Sequence, residues 1–419
     1  MLRKTIGFYT GRLHNEDSLD NFEAVIKEGR ERGYNILSVY VSMGISGGNA
    51  NDDEECYTSF INVCDAVIID GFKITNRTFI SKIVRAAEKQ GKPAILFNDM
   101  QEDCRCLYSV VEDSFDELLC HLVTVHNCSK IDLMLGFLHR WNSDKLIDIY
   151  RNVLSKYGIE YDENRIAYGN YWIDGAQKAG DELLSFDTPD AIVCANDAMA
   201  IALCDLLKKR DLKVPDDVIV TGIDGSVRSD YYIPSITTID KNQHDMAMQV
   251  FDRIGALLEG KDTVRMTPVK CPIKYGGSCG CKSDEGTDYS TILNRMYAQQ
   301  EKRVSIEPKL FNMARKLPEL SDIKNISELI TENLPDDSFI CVRDSFLQDI
   351  YGAQFSMTHE DGKMYVLADT RREPRTWTYF NEKDIFPEYD QILGGEVPVI
   401  ISPLFYDGMY FGNWIVTDS

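Results

Sequence analysis

Polar side chains follow two apolar, strand-like runs near the middle of the chain. The run "VIVTGID" ends on Asp224, and the run "DAIVCA" is followed by Asn196 and Asp197. Open α/β sheets bind ligands at the carboxyl ends of their strands, where helix N-termini offer free N–H groups. We therefore predict that Asn196 and Asp224 contact a ligand, with turn and capping chemistry as the alternative. Asp197 either contacts ligand or caps the helix after it.

Two aromatic residues, Tyr171 and Trp172, follow another strand-like run at residues 165–169. An aromatic ring against the apolar face of a sugar or another ring is a common recognition device. We predict that both residues line the same site, with core packing as the alternative. A second aromatic pair, Tyr231 and Tyr232, is expected to pack under its own loop, with a position in the cleft as the alternative.

The segments around these residues alternate between short apolar strands and amphipathic helices. One set runs from the strand at residues 5–10 to about residue 125, and a second set begins near residue 131 and ends with a helix at residues 244–260. Near-continuously apolar strands separated by helices indicate parallel sheets covered on both faces. The predicted fold class is α/β, with two doubly wound parallel-sheet lobes.

The pattern changes after residue 276. A stretch rich in Gly, Ser and Asp reads as a linker, residues 290–316 look helical, and short strand-like segments with turn signals follow beyond residue 335. Within them, "PLFYDGMYFGNWIV" is typical of a hairpin. We expect a separate α+β domain from about residue 300 onward.

Composition excludes several classes of function. The chain has 419 residues and a formal net charge of −22, which repels phosphate backbones, so we expect these residues to bind no nucleic acid directly. Neither a secretory signal nor an apolar run of membrane-spanning length is present, and many of the 12 cysteines lie in apolar periodic segments. This favours a reducing cytoplasm and no membrane partner.

No motif of a known catalytic set occurs, such as GxSxG, HExxH or GxxxxGK[ST]. We therefore predict that the protein is not an enzyme and uses no cofactor. Pairs of carboxylates close together in sequence are weak evidence for a catalytic site, because so acidic a chain contains many of them.

Cysteine and histidine offer one alternative to this prediction. Cys271, Cys279 and Cys281 lie close together in sequence and could hold zinc with a fourth ligand, but Cys-x-Cys spacing is atypical, and we predict a structural turn instead. His121 and His126 share one predicted helix, where a spacing of five residues places them about 140° apart around the axis. We predict no metal site.

Residues 189–240 closely resemble the effector-binding core of the LacI/GalR regulators, a type I periplasmic-binding-protein fold, and a weaker resemblance extends over residues 4–275. It rests on "AND" before a helix, then "VPDDVIVTGIDG" and "PSITTID", in family order and spacing. The resemblance implies two lobes joined by crossover strands, with a small molecule bound between them. It also implies ligand contacts at Asn196 and Asp224. Asp113 matches an acid or amide at the first crossover, with helix capping as the alternative.

The chain departs from this family in three places. Strand 1 is predicted to begin at residue 5, so we expect this chain to lack the usual N-terminal helix-turn-helix. Leu146 and Asp148 stand near the place of a common sugar-binding arginine, which argues against a simple hexose. The first loop keeps Asn15 but lacks the usual Pro-Phe-Phe.

The C-terminal part resembles a GAF-type sensory domain, by pattern more than by motif. The resemblances together imply a hybrid sensor or transcriptional regulator, forming a homodimer, whose output module is missing from this chain. They divide the chain into a first lobe (1–112 and 238–275), a second lobe (113–237), a linker with a signalling helix (276–316) and a GAF-like domain (317–419).

The function that these patterns favour is ligand sensing. A small polar, sugar-like effector is expected to close the two lobes, and closure is relayed to the C-terminal domain. A solute-binding receptor of a transporter and an enzyme on the same scaffold are the alternatives, since fold does not fix function.

Overall fold

A computed structural model of the chain describes most of its residues. They are residues 3–11, 16–41, 55–74, 76–138, 141–261, 264–282, 322–351, 362–371, 378–381, 384–388, 398–406 and 409–417, with a few isolated positions between 290 and 319 and at 392. Asn15 lies outside the described residues, and so does most of the predicted helix at 290–316.

Helices and strands alternate through the first two thirds of the chain. The helices are α1 (Glu16–Glu31), α2 (Glu55–Ser59), α3 (Arg77–Lys89), α4 (Glu112–Thr124), α5 (Trp141–Lys156), α6 (Ile173–Leu183), α7 (Asp197–Lys209), α8 (Val227–Tyr231), α9 (Gln243–Leu258), α10 (Ile323–Asn333) and α11 (Asp344–Tyr351). The strands are β1 (Thr5–Thr10), β2 (Asn35–Tyr40), β3 (Ala66–Asp70), β4 (Ala94–Phe97), β5 (Cys106–Val110), β6 (Ile131–Leu135), β7 (Ile166–Tyr168), β8 (Ala191–Cys194), β9 (Ile219–Asp224), β10 (Thr237–Asp240), β11 (Met266–Lys270), β12 (Ile273–Lys274), β13 (Ser338–Arg343), β14 (Lys363–Asp369), β15 (Tyr379–Asn381), β16 (Val399–Tyr406) and β17 (Met409–Val416).

The first lobe is built on six parallel strands in the order β11-β5-β4-β3-β1-β2. β1 and β3 are buried along their whole length, as strands covered on both faces must be. Helices α1 and α9 pack together and share one core with β1, β3 and β4, while α2 and α3 cover the other face.

The second lobe repeats this plan. Its sheet has the order β12-β10-β9-β8-β6-β7, and only the short edge strand β12 runs antiparallel. Helix α4 packs beside α5 and α6 packs beside α7, around one large apolar core. The two doubly wound parallel lobes expected from the sequence are confirmed.

The chain passes between the lobes three times, and two of the passages differ from the predicted boundaries. β10 ends at Asp240 and pairs with β9, so residues 238–240 belong to the second lobe rather than the first. The chain returns to the second lobe after β11, because Ile273 pairs with Ile239. The prediction placed these segments by their order in sequence, which does not reveal which sheet a short strand joins.

The C-terminal strands do not form a separate domain, contrary to expectation. β16 pairs in parallel with β2, the edge strand of the first lobe, with Ile400 opposite Ser38 and Ile401 opposite Val39. The sheet then continues as β17, β13, β14 and β15, all antiparallel, so that eleven strands form one sheet. An edge strand with unpaired N–H and C=O groups is a ready template for such an addition. The predicted hairpin is confirmed, since Tyr406 pairs with Met409.

Side chains from both parts share one apolar core. Leu37, Val39 and Tyr57 of the first lobe cluster with Phe339, Val399 and Ile401 from the C-terminal strands, all of them buried. The C-terminal strands are therefore packed onto the first lobe as well as hydrogen-bonded to it.

In the part of the chain that the structure describes, no helix combines the length and the apolar character needed to cross a membrane.

The shared sheet predicts coupled unfolding. Ile401 is fully buried opposite Val39, so Ile401→Ala should lower the free energy of unfolding by about 2–5 kcal/mol and speed hydrogen exchange in β2 as well as in β16. Urea unfolding and hydrogen exchange measure the two effects. Met409→Ala, on the same hairpin but at a side chain that is 64% exposed, is the control and should change neither. Faster exchange confined to the hairpin would show that the two parts are not coupled.

Candidate functional site

A cleft of about 1690 Å³ lies at the carboxyl ends of the strands of both lobes. From the second lobe, Asn170, Asn196 and Asp224 line it, and from the first lobe Phe72 and Asn98 do so. The same cavity continues along α1. The strand ends of both sheets thus converge on one site. The sequence analysis predicted this site only from strand ends of the second lobe.

Asn196 both caps a helix and lines the cleft. Its Oδ1 accepts a hydrogen bond from the backbone N–H of Met199 at 2.9 Å, which satisfies one free donor in the first turn of α7. Its Nδ2 lies 3.5 Å from the carbonyl oxygen of Tyr171. The two predicted roles of Asn196, helix capping and ligand contact, are therefore compatible, because the amide that caps α7 also lines the cleft.

Asp224 belongs to the second lobe and contacts one of the crossovers between the lobes through its ion pair with Lys241. It ends β9 with a φ of 141°, a backbone conformation rare for residues other than glycine. Its Oδ1 is 2.6 Å from Nζ of Lys241, the residue that follows β10. Burial alone would lower the pKa of Lys241, but the Asp224 carboxylate outweighs burial, so this pKa is raised and Lys241 stays charged.

Asp197 lies beneath the cleft rather than on its surface. The side chain is buried, its Oδ2 accepts from the backbone N–H of Ser226 at 2.7 Å and its Oδ1 accepts from the Thr238 hydroxyl at 2.6 Å. A Cβ at Gly222 would come within 2.3 Å of this carboxylate, so only glycine fits there. Asp197 neither lines the cavity nor acts as the N-cap, which is Asn196; it ties α7 to the loop after β9 and to β10.

At the first crossover the structure places Glu112 in the cleft instead of Asp113. Asp113 is exposed and absent from the cleft lining, whereas Glu112 lines the cleft and pairs with Lys145 at 3.1 Å. The two acids are adjacent at the start of α4, and neighbours on a helix point about 100° apart. The resemblance identified the right turn of helix but the wrong residue.

Tyr171 and Trp172 line the cleft, as predicted. The Tyr171 ring covers Gly136, where a Cβ would be 2.0 Å away, and meets the Phe137 ring edge-on with centroids 5.6 Å apart. Tyr171 is thus held by packing, whereas the Trp172 side chain is 62% exposed. Tyr231 and Tyr232 do not line the cavity, and Tyr232 donates to Asp205 instead.

The first lobe contributes residues that the sequence reasoning missed. Phe72 follows β3 and is 54% exposed, with Nζ of Lys241 5.5 Å from its ring centroid. Asn98 follows β4, and its Nδ2 donates to Oε1 of Gln243 at 3.2 Å. The signal that identified Asn196, a polar residue at the end of an apolar strand, was equally present at Asn98.

This arrangement suits a small molecule with polar edges and an apolar face. The amides of Asn98 and Asn196 can donate and accept, the Asp224 carboxylate accepts, and Lys241 donates. The exposed rings of Phe72 and Trp172 offer flat apolar surface in the same cavity.

A second cluster lies away from the cleft and contradicts a prediction. His121 and His126 do not share one helix, because α4 ends at Thr124 and Asn127 adopts a φ of 55°. Their Nε2 atoms are 3.1 Å apart, and the Sγ of Cys281 lies 3.3 Å from each. Cys271, grouped with Cys279 and Cys281 by sequence, is buried in the core next to Val269. The estimate of 140° assumed a helix that continues through residue 126.

Residues 121–279 match the family model of the periplasmic binding protein-like domain. The HTH-type transcriptional repressor PurR of Vibrio atlanticus (strain LGP32) is 30% identical over 135 residues, which make up 32% of this chain and 40% of that protein. The matched part of the chain thus spans two fifths of the length of this relative.

Solved structures extend the likeness beyond the matched sequence. The transcriptional repressor ascG of Escherichia coli superposes with a TM-score of 0.55 at 18% identity, covering 66% of this chain and 98% of ascG. A complex of the transcriptional regulator CelR with cellobiose superposes with a TM-score of 0.53 at 17% identity, covering 66% and 86%. The fold is periplasmic-binding-protein-like.

The buried Asp197 predicts a specific dependence of stability on pH. Burial first, and then the nearby Asp224 carboxylate, raise the pKa of Asp197 to about 7. An acid whose pKa is raised on folding binds more protons in the folded state, so its contribution to stability falls as pH rises from about 4 to 7. Each pKa unit corresponds to about 1.4 kcal/mol.

We expect Asp197→Asn to remove this contribution, since an amide stays neutral and can still bond to Ser226 and Thr238. The free energy of unfolding of the wild type relative to the variant should fall by a few kcal/mol, to order of magnitude, between pH 5 and pH 8. Urea titrations at both pH values measure the difference. A wild-type-to-variant difference independent of pH would contradict the assignment.

Proposed function

We propose that the protein is a ligand-sensing regulator of the LacI/GalR type, in which a small polar, sugar-like molecule binds between the two lobes. The observation that carries this proposal is the cleft itself, where Asn196, Asp224 and Lys241 provide polar contacts beside the exposed rings of Phe72 and Trp172. The likeness to a regulator solved with cellobiose supports a sugar-like ligand.

Ligand binding favours the closed arrangement of the lobes. A ligand shifts such an equilibrium only by its difference in affinity for the two arrangements. Phe72 and Asn98 lie on the first lobe, while Asn196 and Trp172 lie on the second. A molecule that contacts both sets therefore binds the closed form more tightly.

The shared sheet offers a route for the signal that does not depend on the linker. β2 pairs in parallel with β16, so the C-terminal strands are expected to move with the first lobe when the second lobe closes against it. In this proposal the C-terminal part is a GAF-type sensory or relay module attached to the first lobe, and the protein is a cytoplasmic homodimer. The formal net charge of −22 repels phosphate backbones, so in this proposal these residues do not bind nucleic acid directly.

A thermal-shift panel of sugars, nucleosides and amino acids identifies the ligand, and titration calorimetry measures its affinity. Asn196→Ala and Asp224→Ala should each weaken binding about 10–100-fold, as expected for losing a buried polar contact of about 1.5–3 kcal/mol. Asp113→Ala is the matched control, because this acid is exposed and outside the cleft lining, and it should bind like the wild type.

The same assay separates the alternatives. Binding without turnover supports a sensor, whereas product formation from the bound molecule would identify an enzyme and overturn the proposal. Unchanged affinity in both cleft variants would place the site elsewhere.

The aromatic surface makes a second prediction. Phe72→Ala removes an exposed ring from the cleft and should weaken binding about 5–30-fold through lost contact with the apolar face of the ligand, or about 1–2 kcal/mol. Phe186→Ala is the control, since Phe186 is similarly exposed at 63% but does not line the cleft. Equal affinities of the two variants would exclude a stacking role for Phe72.

A further inference from the structure

Two imidazoles and two thiols meet on the second lobe, and none of these four side chains lines the cleft. His121 lies in the last turn of α4 and His126 just beyond its end, while Cys279 and Cys281 follow one another around a 3₁₀ turn at Gly277–Cys279. One ligand atom from each of the four side chains lies within 4.8 Å of all the others. The two segments are separated by more than 150 residues, so the fold alone brings these groups together.

The spacing of these atoms fits one tetrahedral metal ion. Bonds of about 2.0–2.1 Å to nitrogen and 2.3 Å to sulfur put neighbouring ligand atoms about 3.3–3.8 Å apart around a tetrahedral centre. The observed distances are 3.1 Å between the Nε2 atoms and 3.3 Å from Cys281 Sγ to each. We propose that His121, His126, Cys279 and Cys281 bind one zinc ion.

The ligand set favours zinc over other common ions. Two thiolates with two imidazoles in tetrahedral geometry are a zinc set, whereas Mg²⁺ and Ca²⁺ prefer oxygen ligands. Four protein ligands leave no open position for water or substrate, which is typical of a structural site rather than a catalytic one.

The surroundings hold the ligands in place. Gly280 adopts a φ of 81°, which only glycine reaches without strain, and this bend separates the two cysteines. The Thr237 hydroxyl donates to the buried Sγ of Cys279 at 2.9 Å, and the Tyr275 ring packs on the imidazole of His121 with centroids 4.7 Å apart. Cys281 is exposed, which leaves a path for the ion to enter.

The position of the site gives it a defined consequence. The residues from Gly277 to Cys281 are the last of the second lobe before the chain leaves toward the C-terminal strands. An ion there fastens this exit segment to the end of α4, the helix whose first residue, Glu112, lines the cleft. This inference does not depend on the identity of any cleft ligand.

Metal analysis of the full chain tests the proposal. The protein is purified with a reductant, stripped with a chelator, reloaded with zinc or Co²⁺, and measured by mass spectrometry of the metal and by visible absorption. We expect one equivalent of zinc and the absorption of tetrahedral Co²⁺ with thiolate charge-transfer bands. Cys281→Ser and His126→Gln should each weaken zinc binding by about tenfold or more, because even lost outer-shell partners cost about 10–100-fold.

Cys120→Ser is the matched control, since this half-buried thiol is next to His121 in sequence but outside the cluster, and it should bind zinc like the wild type. Circular dichroism checks the fold of each variant, and the exposed position of Cys281 makes its serine variant the decisive one. Wild-type affinity in Cys281→Ser, or no zinc uptake by the reduced chain, overturns the proposal.

Discussion

The buried carboxylate of Asp197 fixes the geometry on which the proposed site depends. It accepts hydrogen bonds from the Ser226 backbone and the Thr238 side chain, and so joins α7, the loop after β9 and β10 at one point. Asn196 precedes it in the chain, and Asp224 ends the strand just before Ser226. A buried acid without these partners would cost several kcal/mol, so the loop and the strand are held where its two oxygens need them. The buried Asp197 carboxylate therefore positions the two neighbouring residues, Asn196 and Asp224, that give the cleft its polar surface.

Two features of this lobe pair indicate how a bound molecule could affect the rest of the chain. The crossovers that join the lobes carry Glu112 and Lys241, so the hinge itself is part of the cleft. The first lobe is continuous with the C-terminal strands through β2 and β16, whereas the second lobe carries the segment by which the chain leaves. Movement of one lobe against the other therefore changes the relation between that exit segment and the C-terminal strands.

Local patterns in the sequence predicted the parallel lobes and several residues of the cleft. Apolar runs followed by polar residues identified Asn196 and Asp224, because strand ends and helix starts are encoded by neighbouring residues. The choice between Glu112 and Asp113 failed, since one residue of helix register decides which side chain faces the cleft. The pairing of β2 with β16 and the meeting of His121 with Cys281 were not predictable, because both depend on contacts between residues far apart in the chain.

Hydrogen exchange of the full chain, with and without the molecule recovered from the ligand panel, shows whether a ligand is held between the lobes. We expect slower exchange in both lobes at once: at residues 97–99 after β4 in the first lobe, and at residues 196–200 and 223–226 in the second. Protection confined to one lobe, or located away from these strand ends, would contradict a ligand held between the lobes.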